Sequence, residues 1–300
     1  MFCASSGIAG VDVKLKDCDD CDLVRYCSDE CKKDHRPKHE EECKKRAAEL
    51  QDEILFKQPE SSHLGDCPIC YLPLPIVHSK SILNTCCSKS ICNGCDLANK
   101  RRELEGRLQH NTCPFCRKAL PYTDEETNEQ LIKRIEANDP VAICFMGRAR
   151  YDKGDYKAAF DYWTKAVALG DAEAHHQLSR LYYNGQGVEK DKKKEKYHKE
   201  QAAMAGHPDA RHNLACMEGG NDRFDRAAKH YIIAAKLGVD ESLECLKKLY
   251  KAGLVSKDDF AAALRGHQAA IDATKSPQRE EAYDHHEYEE WLAERKRSGI

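Results

Sequence analysis

The sequence predicts a multidomain chain in which two small metal-stabilised cysteine domains precede an all-α helical-repeat solenoid. Two observations predict it. Of 17 cysteines in 300 residues, 14 lie at or before Cys116, mostly in closely spaced pairs. Beyond them, small residues at Ala142, Ala174, Ala210 and Ser242 keep one register, each followed four residues later by Met146, Leu178, Leu214 or Leu246.

Composition narrows the function classes. A net charge of −3 with 33% charged residues gives a hydrophilic surface without the basic excess of a dedicated nucleic-acid binder. The amino end, MFCASSGIAGVD, has no basic segment followed by an apolar run, and no stretch approaches the roughly 18 apolar residues of a membrane span. The expectation is a cytoplasmic or nuclear protein with no signal peptide, transmembrane segment or membrane partner. In such a reducing compartment, paired cysteines persist as thiols or metal thiolates, so the pattern favours zinc over disulfides, and the odd total agrees.

Residues 1–46 carry Cys3, Cys18, Cys21, Cys27, Cys31, His39 and Cys43 in a lysine-rich stretch with almost no apolar core. Such a segment folds only if metal replaces the missing burial, and a structural zinc site contributes roughly 10–16 kcal/mol of apparent binding energy. The string CDDCDLVRYCSDECKKDHRPKHEEEC resembles the MYND zinc finger, in which alternating ligand pairs bind two zincs. The resemblance implies one zinc on Cys18, Cys21, His39 and Cys43, and a second on Cys3, Cys27, Cys31 and the residue at position 6. That residue is Ser6, a poor zinc ligand beside thiolate, which leaves the second site three-liganded, completed by His35 or water, or without metal. As a family, MYND fingers bind short, often proline-containing peptides.

Residues 47–61 read as a linker helix closed by Pro59. Residues 62–122 then present Cys67 and Cys70, Cys86 and Cys87, Cys92 and Cys95, and Cys113 and Cys116. With the phrases CPIC and CPFCR, this order resembles a RING finger whose eight ligands are all cysteine. The resemblance implies a second cross-brace domain: one zinc on Cys67, Cys70, Cys92 and Cys95, the other on Cys86, Cys87, Cys113 and Cys116. Family members usually separate the second pair, so adjacency leaves His110 or His78 as alternative ligands. The resemblance further implies that Ile69 and Pro114, with Leu97 or Leu108, dock a ubiquitin-conjugating enzyme, and that Arg117 bridges that enzyme and its ubiquitin. An arginine suits that position because its planar fork bonds several acceptors and stays charged. As plain surface chemistry, Ile69 and Pro114 pack the zinc loops and Arg117 is an exposed charge.

Residues 123–138 read as a charged helix starting at Thr123 or Asp124 and ending before Pro140. Residues 139–270 hold the repeats: Gly170, Gly206 and Gly238 each follow an alanine-rich helix, where a left-handed glycine stops it. Ala166, Ala202 and Ala234 keep the same phase. A 32- to 36-residue period with small residues at fixed sites describes stacked antiparallel helix pairs, three good units and a weaker fourth. With the glycine-bearing insert YYNGQGVEKDKKK, this half resembles Sel-one-like repeats. Tyr151, Trp163, Tyr183, Tyr231 and Tyr250 line a concave face or, as aromatics at helical spacing more often do, fill the core. Cys144, Cys216 and Cys245 are expected as small core side chains. Residues 271–300 read as a solvated tail or loosely docked helix, with Asp284, His285, His286 and Glu287 lacking the spacing of a metal site.

The function implied by these resemblances is a zinc-binding RING-type ubiquitin ligase or ligase adaptor, holding three or four zinc ions and no catalytic residue of its own. The RING recruits a ubiquitin-conjugating enzyme and the repeats hold a protein substrate or peptide. The alternative is a non-enzymatic, zinc-dependent protein-protein interaction scaffold. A metal-dependent hydrolase is disfavoured because no general acid, base or nucleophile accompanies the ligands.

Overall fold

The computed structural model describes residues 4–5, 16–19, 21, 24–26, 28–106 and 111–284. The chain separates into two compact units, Met1–Lys57 and Gln58–Ile300. No helix among the described residues is long and apolar enough to cross a membrane.

In the first unit, a short antiparallel ribbon pairs β1 (Lys16–Asp17) with β2 (Arg25–Tyr26), and helix α1 (Asp29–Leu55) follows. Ser28 caps α1 by accepting from the Cys31 N–H, with Asp29 and Glu30 in the first turn to suit the helix dipole. The expected break between a finger ending at 46 and a linker helix over 47–61 is not there: one helix carries both. Nothing between Cys43 and Leu55 can stop it, since KKRAAELQDEIL has good helix formers throughout and neither glycine nor proline.

The second unit begins with the other cysteine module. Strands β3 (Ser81–Asn84) and β4 (Lys89–Cys92) form a hairpin, and helix α2 (Asn93–Leu104) follows directly. Helix α3 (Asp124–Glu136) starts as expected, Thr123 accepting from the Glu126 N–H. Four antiparallel helix pairs then stack: α4 (Pro140–Asp152) with α5 (Tyr156–Ala168), α6 (Ala172–Asn184) with α7 (Lys192–Met204), α8 (Pro208–Gly219) with α9 (Phe224–Lys236), and α10 (Asp240–Lys251) with α11 (Lys257–Ala273).

The phased small residues account for the stacking. Ala142, Ala174, Ala210 and Ser242 are all fully buried, as are Ala166, Ala202 and Ala234, so neighbouring helices approach where no larger side chain would fit. Trp163 is also fully buried and donates its indole N–H to the Cys144 carbonyl at 3.1 Å; Tyr231 is buried as well, whereas Tyr183 is 65% exposed. Gly170, Gly206 and Gly238 take positive φ at the helix ends. At Gly206 (φ +83°) the requirement is double, because a Cβ there would stand 2.6 Å from the Ser61 carbonyl.

Of the two expectations for the carboxyl-terminal segment, a solvated tail or a loosely docked helix, the described part is a helix, and it is anchored by a buried side chain. Helix α12 (Pro277–Asp284) packs along α2, and Arg279, 1% exposed, reaches into the cysteine module. Its guanidinium donates to the carbonyls of Leu72, Pro73 and Thr274, and Gln278 donates to the Gly94 carbonyl. Five fixed donors allow an arginine to be buried where several carbonyls converge. His285, His286 and Glu287 lie outside the described residues.

Candidate metal centres

In the first unit, the turn after β1 supplies Cys18 and Cys21, and α1 supplies His39 and Cys43, one helical turn apart on the same face. The Cys18 sulfur stands 3.6 Å from His39 Nε2 and 3.8 Å from the Cys43 sulfur, and Cys21 is 3.9 Å from the same nitrogen. Ligands about 2.3 Å from a tetrahedral zinc stand about 3.8 Å from one another, so these edges fit that ion. Burial and the neighbouring Cys21 and Cys18 push the Cys43 thiol up to about 12. Thiols this crowded ionise together only around a cation.

Of the second implied set, Cys3, Ser6 and Cys27 lie outside the described residues. Its remaining member, Cys31, is half-buried on α1. His35 stands with the complete cluster: its Nδ1 is 3.2 Å from the Tyr26 hydroxyl and its ring stacks on His39.

In the second module the two clusters interleave along the chain. Cys67, Cys70, Cys92 and Cys95 form one, and Cys86, Cys87, Cys113 and Cys116 the other, each with all ligand atoms within 4.8 Å of one another. Adjacency does not exclude either Cys86 or Cys87. The hairpin turn lets Cys87 N–H and Ser88 N–H both donate to the Asn84 carbonyl, with Ser88 at φ +54°, and the two sulfurs reach Cys116 at 3.4 Å and Cys113 at 3.8 Å. His110 and Leu108 lie outside the described residues, as does the His78 side chain.

The two CPxC segments are copies of one knuckle. Tyr71 N–H donates to the Cys67 carbonyl and Cys67 N–H to Leu72; correspondingly, Arg117 N–H donates to Cys113 and Cys113 N–H to Lys118. Tyr71 (φ +57°) and Arg117 (φ +62°) hold the matching left-handed positions. Arg117 thus sits where the knuckle turns back, donating to the Asn99 side chain of α2 at 2.9 Å. Ile69 is 36% exposed, Leu97 is half-buried, and Pro114 is buried, with Phe115 exposed beside it. Of the expected docking trio, Pro114 therefore contributes to packing rather than to the outer surface. Buried Glu103 ties α2 to the second knuckle by accepting from the N–H groups of Asn111 and Thr112 and from the Asn99 amide.

Electrostatics fits zinc in this module also. Cys113 beside it, burial and Cys116 together hold the Cys86 thiol far above its usual range, and Cys67 and Cys92 do the same to Cys95. Three described clusters therefore have the donor set, spacing and charge requirement of structural zinc, with every ligand position filled by protein. Zinc there supplies cross-links and charge compensation in place of a core.

A fourth grouping, His63, Glu173 and His207, was not anticipated from sequence. His207 caps α8, its Nδ1 accepting from the Ala210 N–H at 3.3 Å, so the ring proton is on Nε2 and donates to Glu173 at 2.9 Å. A nitrogen that carries a proton has no lone pair for a metal. The rings of His63 and His207 are parallel, with centroids 4.2 Å apart, and the backbone N–H of His63 donates to the Gly206 carbonyl at 3.1 Å. These contacts make a latch between the start of the second module and the repeats.

The MYND finger family matches residues 3–43. No curated protein matches the chain. Among solved structures, the chain is similar to a protective antigen of uropathogenic Escherichia coli strains displaying an SLR fold, with 20% identity and a TM-score of 0.42, covering 49% of this chain and 33% of the antigen. It is also similar to a Sel1 repeat protein from Oxalobacter formigenes, with 25% identity and a TM-score of 0.37, covering 40% of this chain and 97% of that one. The chain thus spans about a third of the antigen's length.

Proposed function

We propose that this chain is a zinc-stabilised protein-interaction scaffold. The observation that carries the reading is the closure of the three described clusters: four protein ligands at each leave no coordination position for water or substrate, so metal chemistry is confined to holding the fold. What the chain then offers a partner is surface. The repeat array presents exposed Tyr183 and Tyr197 on one helix pair, and Val141 and Phe145 one turn apart on α4. Solenoids commonly bind proteins along such faces. Purified zinc-loaded protein, cross-linked in extract and followed by titration of each recovered partner against the full chain, tests it. Saturable binding weakened about tenfold or more by Tyr183→Ala or Phe145→Ala is expected for a hot-spot aromatic. Binding indifferent to every exposed aromatic on the array overturns the reading.

A second reading is favoured by one arrangement. The interleaved all-cysteine clusters, exposed Ile69 and the outward turn at Arg117 support a RING-type ubiquitin ligase or ligase adaptor that recruits a ubiquitin-conjugating enzyme. Its measurement is discharge of ubiquitin from a panel of loaded conjugating enzymes. Stimulation abolished by Ile69→Ala and reduced by Arg117→Ala supports it, and silence across a broad panel leaves the scaffold.

A further inference from the structure

Cys216 differs from the core side chain expected of it. It lies two residues beyond buried Leu214, about 200° around α8, and is exposed. Cys144, by contrast, is buried, and its thiol is pushed up by that burial. Two neighbouring groups converge on the sulfur. His212, one turn earlier on the same helix, places Nε2 3.4 Å from the Cys216 sulfur, and the Tyr231 hydroxyl of α9 stands at 3.4 Å. On its far side His212 Nδ1 is 2.7 Å from the hydroxyl of Ser242, which is fully buried and fixes the ring. A nucleophile, a base in hydrogen-bond reach and a third group orienting the base form the arrangement that activates cysteines. Cys245 of α10, half-buried, packs against the same buried cluster that contains Tyr231, which brings a second sulfur into this neighbourhood.

We propose that Cys216 is a peroxide-reactive thiol and that Cys245 is its resolving partner. With Nδ1–H donating to Ser242, Nε2 takes the thiol proton, and the Tyr231 hydroxyl donates to the resulting thiolate. The His212 hydrogen bond draws the Cys216 thiol below its ordinary range, and the same contact raises His212. The thiolate attacks one oxygen of hydrogen peroxide, the O–O bond breaks, and the leaving hydroxide takes the imidazolium proton as water. Sulfur is oxidised to sulfenic acid as the peroxide is reduced. Cys245 then attacks that sulfur: an S–S bond forms, the S–O bond breaks, and the hydroxyl leaves with the Cys245 proton as a second water. The disulfide joins α8 to α10, the first helices of two successive pairs, and so ties adjacent repeats together. This device is independent of the scaffold reading and of the zinc clusters.

The test uses zinc-loaded full-length protein and site-resolved peptide mass spectrometry, which separates these cysteines from the zinc ligands. Cys216 is expected to alkylate with iodoacetamide at pH 7 roughly fivefold faster than Cys245, because greater thiolate content is partly offset by lower intrinsic nucleophilicity. Its rate should inflect below about 8.5, the ordinary thiol pKa. Limiting hydrogen peroxide should give a peptide linked 216 to 245, and Cys245→Ala should instead leave a sulfenic acid at Cys216 that dimedone captures. His212→Gln should bring the Cys216 rate down to that of Cys245. Equal rates for both cysteines in the unaltered protein, or an inflection at the ordinary thiol value, overturn the activated thiol without relying on any variant. Absence of the linked peptide while dimedone labels Cys216 in the unaltered protein overturns the pairing.

Discussion

The guanidinium of Arg279 donates to the sulfur of Cys70 at 3.3 Å, joining the last described helix to a cysteine of the first candidate metal cluster of the second module, 209 residues earlier in the chain. The same fork holds the carbonyls of Leu72 and Pro73, so α12 fastens the back of the first knuckle. A donor on a metal-bound thiolate offsets part of its negative charge and fixes its orientation, so with zinc in this cluster Arg279 would be an outer partner of the site.

Replacing this arginine should therefore act on stability and on metal together. Arg279→Ala removes the guanidinium from three carbonyls in a buried place, leaving Leu72 only the Cys67 N–H, at a cost of about 2–4 kcal/mol. Faster zinc transfer to a chromogenic chelator from one of the metal sites should accompany the lower unfolding midpoint. Arg279→Lys should recover only part, since an ammonium lacks the planar fork. Unchanged release kinetics in Arg279→Ala would show that α12 holds the module without influencing its metal.

Zinc content should divide the chain into metal-dependent and metal-independent parts. Elemental analysis should return at least three zincs per chain, one for each described cluster, with His39→Ala and Cys87→Ala each removing one. A fourth that appears on Ser6→Cys would locate the incomplete set in the first finger. Chelation should unfold both cysteine modules, because a structural zinc contributes roughly 10–16 kcal/mol to segments with so little core. The array should keep most of its helical circular dichroism, since its core is apolar, built around Trp163, Leu178 and Leu181 in the early pairs and Ala227, Tyr231 and Leu246 in the later ones.

The latch offers a distinction between a hydrogen-bonded cluster and a metal site. His207→Ala removes both the cap of α8 and the donor to Glu173, and should destabilise the second unit by about 1–3 kcal/mol. Zinc content should stay unchanged. A loss of one zinc equivalent in that variant would mean that the histidines do hold metal.

The cysteine clusters were legible in the sequence because a metal demands thiols at short local spacings, and Cys67 with Cys70 or Cys113 with Cys116 declare themselves within four residues. The repeat register was legible because alanine and glycine recur wherever helices touch. Several features were not. Arg279 stands in SPQREE, where Ser276 and Pro277 announce a helix start, yet an arginine among charged residues looks solvated until its distant carbonyls are found. Cys216 sits in the same helical alphabet as Cys144 and Cys245, and only its angle on α8 separates it from the core. The single helix across residues 29–55 is equally hidden, because the last ligand of the finger suggests a domain boundary after Cys43 although no residue there stops a helix.

The buried histidines predict how the array responds to acid. Burial lowers His176 to about 3, with His207, Arg180 and His63 opposing its protonation and Glu173 favouring it. His230 is lowered to about 3 by burial, reinforced by Arg211, Arg226 and Lys196, and Arg211 faces its Nδ1 at 3.4 Å. Because the folded value lies below the unfolded one, near 6.5, the unfolded chain binds these protons more readily. Their contribution is complete above about pH 6.5 and is lost as pH falls toward 3, with each histidine adding up to about 1.4 kcal/mol per pH unit to the slope. Glu173 acts in the same direction lower down: burial would raise its carboxyl, but the hydrogen bonds from His207 and His63 hold it well below the usual carboxylate range. Urea unfolding of the array, followed by circular dichroism between pH 7.5 and 5 alongside zinc release, should show stability falling before metal is lost. His176→Gln should flatten that slope by about one histidine's share. A profile that is level until zinc leaves would mean that the imidazoles exchange protons equally in both states, and that the acid response belongs to the metal sites alone.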